Sequence, residues 1–482
     1  MDLPEDGYMM VGRKKQLAVL QGALKKETSS FIAVYGRRRV GKTYLISQAY
    51  SGQFFFATTG VFPKRKQAEL DQFLVSLKDS GIPAPKSLKK WIDAFQILKE
   101  AIEKSPLPKK VLFFDELAWL AAPSPDFLRV LSGFWNGWAS KRKDVVLLVC
   151  ASAASWMSDN VIHDKGGLYQ RLTDQIYLQP FTLKECEEMS EAMGLCFDRH
   201  AILEAYMIFG GIPYYWSRLI PGKSLAQNVD ALFGGVAAPF AGEFNYLYAS
   251  LFEKPEPYIS IINALGMAHG SAGLGRAELL AASSNADTGL FSKHLKELED
   301  CGFIRSYHRF GAKKRGNLYQ LIDNFSLFYF RFLAGGVSDP AFYSHSLDLP
   351  SRRSWSGLAF ERVCLQHLEQ IKAALGIQNI LSDVSAMNIP ADPEKGIEGS
   401  QIDLVIERRD RIVDLLEMKF ASEDYVITKE IDKDLRRKRS DFKRATATRY
   451  AVQTVMVTPY GLFENAYSKN VSVSIDADDL FK

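Results

Sequence analysis

The stretch that decides the fold spans residues 31–46 and reads Phe-Ile-Ala-Val-Tyr-Gly-Arg-Arg-Arg-Val-Gly-Lys-Thr-Tyr-Leu-Ile. Its first five residues are apolar and predict a buried strand, and its last three begin a helical pattern. Between them, residues 36–43 match the pattern G-x-x-x-x-G-K-[ST], whose backbone N–H groups surround phosphates. The sequence therefore predicts a loop that binds ATP through Gly36, Arg37, Arg38, Arg39, Val40, Gly41, Lys42 and Thr43. Lys42 is expected to contact the β- and γ-phosphates, and the Thr43 hydroxyl is expected to bind Mg²⁺.

A second apolar stretch ends in two acids. Residues 109–116 read Lys-Lys-Val-Leu-Phe-Phe-Asp-Glu, which predicts a buried strand followed by Asp115 and Glu116. Asp115 is expected to hold Mg²⁺ through water, and Glu116 is expected to polarise the attacking water. This pair indicates an enzyme that hydrolyses its nucleotide. The alternative is a strand end with solvated acids.

A third buried strand is predicted at residues 145–149. Ser152 follows it and can sense the γ-phosphate from the strand tip. A plain transition from strand to loop is the alternative.

Together with these motifs, several others make most of the chain similar to the AAA+/STAND-like ATPases often called the archaeal ATPase family. They are found at residues 11–13 (Val-Gly-Arg), 36–43, 113–116, 170–171 (Gln-Arg), 178–181 (Leu-Gln-Pro-Phe) and 210–214 (Gly-Gly-Ile-Pro-Tyr). In the family the first motif continues with two acids and lies near the adenine, whereas Lys14 and Gln16 replace those acids here. The resemblance also implies that Arg171 is a sensor or arginine finger, which stabilises charge on the transferred phosphoryl group.

The middle of the chain changes to a helical pattern. Residues 181–219 begin with Thr182 and Glu185, the residue types of a capped helix start, and are assigned to the helical lid of the ATPase. Three helices are then predicted at residues 258–265, 276–282 and 287–299, and two strands at 303–310 and 318–322. This order predicts a winged helix.

A winged helix can contact DNA with its third helix and its wing. The expected contacts are made by Ser292, Lys293, His294 and Lys296 in the major groove, and by Arg305, Arg309 and residues 313–317 at phosphates. Protein docking is the alternative role, since Glu297, Glu299 and Asp300 reduce the local positive charge.

The last third contains a helix at residues 358–372 and a predicted β-hairpin at 401–407 and 412–420. Alternation puts Glu417 and Lys419 on one face, and pairing across the hairpin brings Asp403 to the same end. Asp403, Glu417 and the Met418 carbonyl are expected to bind Mg²⁺, with Glu361 from the helix completing the metal site. Lys419 is expected to orient or deprotonate the water that cleaves a phosphodiester.

This order of helix, Asp and Glu-x-Lys is similar to that of the PD-(D/E)xK, or restriction-endonuclease-like, nuclease fold. Members of the archaeal ATPase family commonly have a C-terminal domain of this type. Downstream, residues 429–449 hold nine Lys or Arg against four Asp or Glu, a basic stripe that suits a nucleic-acid backbone. The alternatives are a solvated helix face and an ordinary Glu–Lys pair across strands.

Composition bounds these interpretations. The chain has 482 residues, 47% of them hydrophobic and 24% charged, so it can fold throughout and exceeds the size of one domain. Its five cysteines include no Cys-x-x-Cys pair, and its histidines lack ligand spacing, so neither disulfides nor zinc are expected. No stretch is apolar enough to span a membrane and the N-terminus is acidic, so we expect a cytoplasmic protein without membrane contacts.

The predicted fold class is α/β: a P-loop NTPase (AAA+-like) with helical lid, a winged-helix middle domain and a C-terminal restriction-endonuclease-like α/β domain. The expected boundaries are 1–180, 181–250, 251–335 and 340–482. The predicted function is an ATP- and Mg²⁺-dependent ATPase coupled to a DNA-binding, nuclease-like domain, with a homo-oligomer or protein partner also considered. The alternative is a nucleotide-dependent switch or scaffold with an inactive nuclease fold.

Overall fold

The structure is a computed structural model that describes residues 10–61, 65–163, 167–268, 273–308, 310–311 and 317–482. The chain divides into two compact units, Met1–Pro180 and Phe181–Lys482. Within the described ranges, no helix is both long and apolar enough to cross a lipid bilayer.

The first unit is built on a five-stranded parallel sheet in the order β2-β3-β4-β1-β5. The strands are β1 (Ser30–Tyr35), β2 (Phe56–Thr59), β3 (Lys110–Asp115), β4 (Val145–Ala151) and β5 (Asp174–Tyr177). Every residue of β3 and β4 is buried, as expected for strands covered by helices on both faces. The predicted α/β fold with a parallel sheet is confirmed.

Helices precede and connect these strands. They are α1 (Lys14–Lys25), α2 (Lys42–Ala49), α3 (Lys66–Asp79), α4 (Trp91–Lys104), α5 (Leu117–Ala121), α6 (Asp126–Gly137) and α7 (Ala154–Met157). Aromatic side chains fill the space between β3 and the helices: Phe95 stacks on Phe114 with ring centroids 5.8 Å apart, and Trp91 contacts Phe127 edge-on at 4.8 Å. This core fixes the position of β3 and therefore of the acids at its end.

The second unit begins with helices. They are α8 (Leu183–Ala192), α9 (Arg199–Phe209), α10 (Pro213–Trp216), α11 (Leu225–Phe233) and α12 (Glu243–Leu251). The Thr182 hydroxyl accepts from the Glu185 backbone N–H, and the Glu185 carboxylate accepts from the Thr182 N–H. The capped start predicted for α8 is confirmed.

A small mixed segment of helices and strands follows. It contains α13 (Glu256–Met267), β6 (Leu274–Gly275), α14 (Arg276–Ser283), α15 (Gly289–Asp300), β7 (Ile304–Tyr307) and β8 (Leu318–Leu321). The three strands pair antiparallel in the order β6-β8-β7. Two-residue β6 was not predicted, because so short a strand has no periodicity to detect.

The C-terminal part contains a mixed sheet in the order β13-β12-β11-β10-β9. Its elements are α16 (Asn324–Phe328), α17 (Pro350–Gln366), α18 (Leu368–Ala374), β9 (Ser382–Ile389), β10 (Ser400–Arg408), β11 (Ile412–Met418), α19 (Lys429–Thr446), β12 (Ala451–Val457), β13 (Val473–Ile475) and α20 (Ala477–Leu480). Strands β9, β10 and β11 pair antiparallel, whereas β11, β12 and β13 pair parallel. Helix α17 packs on β11, and α19 packs on β10 and β12.

Candidate functional site

The predicted phosphate-binding loop lies between β1 and α2, and two of its glycines have backbones that other residues rarely adopt. Gly36 has φ +148°, and a Cβ atom there would lie 2.3 Å from the backbone oxygen of Leu178. Gly41 has φ +87° and is the N-cap of α2. The loop therefore needs glycine at both positions, and the free N–H groups at the start of α2 face an anion favourably.

Lys42 is buried, and its ammonium group is held by the loop itself. Its Nζ donates to the backbone oxygens of Gly36 at 3.0 Å and Arg37 at 2.9 Å. These acceptors are neutral carbonyls, so a charged phosphate oxygen would be a stronger partner for the same donors. The loop and its lysine thus fit a nucleotide phosphate chain.

Thr43 and Asp115 meet across the edge of the sheet. The Thr43 hydroxyl donates to Asp115 Oδ2 at 2.9 Å, and the Glu116 backbone N–H donates to Asp115 Oδ1 at 2.9 Å. Asp115 is buried at the end of β3. A hydroxyl beside a carboxylate is a pair of hard oxygen ligands, which fits Mg²⁺.

Glu116 adopts a left-handed backbone conformation with φ +47° and is held by Ser152. The Ser152 hydroxyl donates to Glu116 Oε1 at 2.7 Å. Because β4 lies between β1 and β3, the residue after β4 comes between the loop and the acids. The predicted residues Lys42, Thr43, Asp115, Glu116 and Ser152 therefore lie at one edge of the sheet.

Two residues near the end of β2 were not predicted from the sequence. The Gly60 N–H donates to the Asp115 backbone oxygen at 3.1 Å, and a Cβ atom on Gly60 would lie 2.8 Å from the backbone oxygen of Glu116. Glu69 of α3 is fully buried and accepts from the Val61 N–H at 3.1 Å; burial raises its pKa to about 7. An acid at an otherwise apolar position of α3 was the signal that could have indicated Glu69.

Arg171 lies away from this constellation. It is exposed, its backbone N–H donates to Leu168, and its side chain forms no hydrogen bond or ion pair with the residues that the structure describes. By contrast, Arg13 of the Val-Gly-Arg motif is buried and donates to the Gln179 backbone oxygen at 2.6 Å. The structure thus does not bring Arg171 to Glu116.

The second predicted site lies on the hairpin of β10 and β11. Leu404 is paired with Leu416, and the next residues along the two strands are Asp403 and Glu417. The Met418 N–H approaches Asp403 Oδ2 at 3.4 Å. The hairpin therefore brings Asp403 and Glu417 to the same end of the sheet.

Both oxygens of the buried Glu417 carboxylate are held by lysines. Lys419 Nζ lies 2.7 Å from Oε1, and Lys438 Nζ lies 2.7 Å from Oε2. Lys419 was predicted at this position. Lys438 belongs to α19 and was predicted only as part of the basic stripe, because the packing of a helix on a sheet cannot be read from its sequence spacing.

Two acids of this cluster, Asp403 and Glu361, resist ionisation. Burial, followed by the charge of Glu417, raises the pKa of Asp403 to about 6. Burial and the charge of Asp403 raise the pKa of Glu361 to about 7. For Lys419, burial opposes the charged form, but Glu417 and Asp403 outweigh it and raise its pKa.

The expected three-acid metal site is not assembled in this structure. Among the described residues, no three His, Cys, Asp or Glu side chains are close enough to hold one ion. The physical reason is that lysines occupy Glu417, while Arg362 approaches the Glu361 carboxylate at 3.7 Å. Asp403, Glu417 and the Met418 carbonyl can serve as oxygen ligands only if the lysines release Glu417.

Two residues predicted to contact DNA have other partners. The Arg305 Nε donates to Gln320 Oε1 at 2.6 Å, and the guanidinium lies 4.7 Å from the Tyr307 ring centroid. Burial, followed by repulsion from Arg362, lowers the pKa of Arg305 to about 10. His294 is buried against Tyr258, with ring centroids 4.4 Å apart. His294 is therefore inside the core and Arg305 is held by its own hairpin, and the DNA contacts of these two residues stay predictions.

Other predicted contacts have the expected exposure. Ser292, Lys293 and Lys296 lie on the exposed face of α15. Arg309 and residues 313–316 of the predicted wing lie outside the described residues. The basic stripe forms α19, whose buried residues include Leu435 and Phe442.

Part of the chain is similar to known proteins. Residues 10–219 match the family described as an ATPase domain predominantly from Archaea. An uncharacterized protein of Methanocaldococcus jannaschii is 25% identical over 377 residues, which cover 75% of this chain and 78% of that protein.

Two solved structures are also similar to this chain. The Walker-type ATPase of Pyrococcus abyssi is 15% identical, with a TM-score of 0.47, over 67% of this chain and 96% of its own. The Aeropyrum pernix ORC2 protein, in ADPNP–ADP complexes, is 13% identical, with a TM-score of 0.42, over 76% of this chain and 98% of its own. Residues 10–219 are therefore similar to an ATPase domain found predominantly in Archaea, and this part of the chain contains the phosphate-binding loop and the acids described above.

Proposed function

We propose that the first unit hydrolyses ATP with the residues at the edge of its parallel sheet. The observation that supports this most directly is the pair of short contacts from Thr43 to Asp115 and from Ser152 to Glu116. Lys42 and the backbone of residues 36–43 bind the phosphates, and Thr43 and Asp115 hold Mg²⁺. A bound Mg²⁺ supplies charge compensation for the phosphates.

In this proposal Glu116 orients and polarises the attacking water, while Ser152 fixes the direction of its carboxylate. Because Arg171 is exposed, it acts on a nucleotide bound by a second copy of the chain. An arginine supplied in this way stabilises charge on the transferred phosphoryl group. The proposed assembly is therefore a homo-oligomer.

We further propose four domains at residues 1–180, 181–250, 251–335 and 340–482, with the third a winged helix that binds DNA. Its support is the element order α13-β6-α14-α15-β7-β8 together with the antiparallel pairing of the strands. Exposed Lys293 and Lys296 of α15, and the basic helix α19, supply positive charge for phosphate contacts.

The C-terminal mixed sheet is proposed to carry a nuclease-like site that cleaves DNA with Mg²⁺. Its support is the juxtaposition of Asp403, Glu417 and Lys419 at one end of the hairpin. Asp403 and Glu417 hold the cation, Glu361 adds negative potential beside them, and Lys419 orients the water at the scissile phosphate. The fold class proposed for this domain is restriction-endonuclease-like.

Plasmid nicking tests this function. The full-length protein with Mg²⁺ and ATP should convert supercoiled plasmid to open circles, and EDTA should stop the reaction. Asp403→Ala should abolish nicking while ATP hydrolysis continues, whereas Asp424→Ala, which changes an exposed acid, should nick normally. Nicking that survives Asp403→Ala would remove this site from the reaction.

The second candidate is a nucleotide-dependent switch or scaffold that binds DNA or protein and does not cut. The observation that favours it is the double lysine contact of Glu417, which leaves no carboxylate oxygen of that residue without a charged partner. Absence of nicking, combined with ATP-dependent binding of DNA, would select this candidate.

A further inference from the structure

Lys438 is a charged group beside Asp403, Glu417 and Lys419 to which the proposed cleavage assigns no role. Its side chain is only 14% exposed, and it reaches from α19 to Glu417 Oε2. A second contact, 3.7 Å to Asp434, is on its own helix. A lysine that is largely buried and aimed at the acids differs from the solvated lysines of a basic helix face.

The cationic groups of the cluster at least balance the charge of its carboxylates. Its carboxylates are Glu361, Asp403 and Glu417, and its cations are Lys419, Lys438 and Arg362. The fully buried Arg362 Nη1 has no hydrogen-bond partner among the described residues, so a donor beside Glu361 is unused.

A balanced cluster disfavours binding of a divalent cation alone, since two added positive charges would be buried without compensation. A phosphodiester brings a negative charge and oxygens that accept strong hydrogen bonds from lysine. Binding of the cation together with a phosphodiester therefore changes the net charge of the cluster less than binding of the cation alone. Lysine has a flexible stem and three donors, so it can exchange one anionic partner for another.

We propose that Lys438 is a second phosphate-binding residue of this site and that a nucleic-acid phosphodiester and a divalent cation bind there cooperatively. Lys419 and Lys438 turn their N–H donors from Glu417 to the phosphate oxygens, and the Glu417 oxygens then face the cation. This inference rests on the proposed action of the site on DNA. It adds Lys438 as a phosphate-binding residue and the cooperative binding of cation and phosphodiester, neither of which the pattern Glu-x-Lys contains.

Fluorescence anisotropy of a short labelled DNA duplex, with the full-length protein, tests the cooperativity. Ca²⁺ replaces Mg²⁺ to limit cutting of the probe, and the dissociation constant in Ca²⁺ is compared with that in EDTA. We expect Ca²⁺ to tighten binding by about fivefold or more for the native protein. For Lys438→Gln the ratio should be close to one, and Lys438→Arg, which keeps the charge, should restore part of it.

Lys433→Gln is the matched control, because it removes the same charge from an exposed position of the same helix. It should weaken binding in both conditions and keep the dependence on Ca²⁺. Melting temperatures of the variants establish that each is folded, and Lys438→Arg carries the test if Lys438→Gln does not fold. An unchanged ratio in Lys438→Gln would overturn the inference, as would a native protein whose DNA binding does not depend on Ca²⁺. Where only Lys438→Arg folds, a ratio equal to that of the native protein would overturn it.

The two proposals fail separately. Plasmid that stays uncut, together with a Ca²⁺ effect that depends on Lys438, rejects the nuclease function and retains the phosphate-binding role. Plasmid that is cut, together with equal ratios in the Lys438 and Lys433 variants, retains the nuclease and rejects the role of Lys438.

Discussion

The partners of the Glu116 and Glu417 carboxylates decide what the two candidate sites can do. Glu116 has one carboxylate oxygen held by the neutral Ser152 hydroxyl, which orients the carboxylate and leaves its charge available to polarise water. Glu417 is held at both oxygens by ammonium groups, which neutralise it. The first carboxylate is therefore ready for its proposed task, whereas the second has to exchange partners first.

Glu116→Gln should separate ATP binding from ATP hydrolysis. The amide keeps an oxygen for Ser152 but cannot polarise water as a carboxylate does, so we expect turnover to fall by about 10²–10⁴-fold. Binding of a fluorescent ATP analogue should change little, and phosphate release measures the turnover. Asp93→Asn, at an exposed acid of α4, is the control. Equal loss of binding and turnover would exclude the assigned role of Glu116.

Ser152→Ala distinguishes a residue that positions Glu116 from one that contacts the γ-phosphate. Losing one orienting hydrogen bond of about 1 kcal/mol should lower turnover about fivefold. Because this effect acts through the Glu116 carboxylate, it should largely disappear in the Glu116→Gln background. Steady-state hydrolysis by the four proteins of the double-mutant cycle measures this. Additive losses would instead indicate an independent contact with the nucleotide.

Asp403→Asn should stabilise the protein in a pH-dependent way when no divalent cation is present. The folded-state pKa of Asp403 is raised to about 6, so the folded state holds a proton that the unfolded chain loses at lower pH. The carboxyl thus lowers the unfolding free energy as pH rises from about 4 to 7, by about 1–3 kcal/mol. The amide removes that penalty.

Scanning calorimetry of the full-length protein at pH 5 and pH 8 checks this expectation. The melting temperature of Asp403→Asn should exceed that of the native protein by more at pH 8 than at pH 5. Asp424→Asn, at an exposed acid, should show neither gain. A gain that is independent of pH would show that packing, and not the charge, causes it.

At the scale of elements, the sequence predicts those segments whose periodicity and end residues agree. The strand, loop and helix around residues 30–49 and the β10–β11 hairpin were identified because apolar stretches, glycines and alternation coincide there. Strands β9, β12 and β13 were not predicted. Their place in the sheet depends on pairing with distant residues, which local pattern does not contain.

The same distinction explains which site residues were found. Asp115 and Glu116 lie at the end of β3, and Lys42 follows the loop after β1. Because the carboxyl ends of parallel strands meet at one edge of the sheet, the sequence could predict that these residues lie close together. Other features depend on how helices pack on sheets or on one another. These are the contact of Lys438 with Glu417, the close approach of Gly60 to Glu116 and the burial of His294. Those contacts are set by tertiary packing, and no single motif encodes them.

Gly60→Ala should damage the end of β2 and the neighbouring acids together. A Cβ atom at residue 60 would lie 2.8 Å from both the backbone oxygen of Glu116 and the Cβ atom of Trp119, so β2 and α5 have to move apart. We expect a loss of about 1–3 kcal/mol in stability and slower ATP hydrolysis. Gly22→Ala, at an open position of α1, should instead stabilise by about 0.5–1 kcal/mol. Thermal melts and hydrolysis rates of both variants test this; a neutral Gly60→Ala would refute the close approach.

At the scale of the whole molecule, one chain contains residues 10–219, which match an ATPase domain family, and an acid–lysine cluster in its C-terminal sheet. The two proposed activities are either independent or linked. Linkage requires that each ligand changes the affinity for the other, and thermodynamics makes the two changes equal. This equality provides a test that needs neither cleavage nor hydrolysis.

We expect a non-hydrolysable ATP analogue to change the affinity for duplex DNA, and DNA to change the affinity for the analogue by the same factor. A coupling of about 1–3 kcal/mol corresponds to a factor of about 5–150. Anisotropy of labelled DNA with and without the analogue gives one ratio, and fluorescence of a labelled analogue with and without DNA gives the other. Lys42→Ala should abolish the first ratio because it weakens binding of the phosphates. Ratios of one in both directions would mean that the chain carries two independent binding functions, since a nucleotide that leaves DNA affinity unchanged cannot act as its switch.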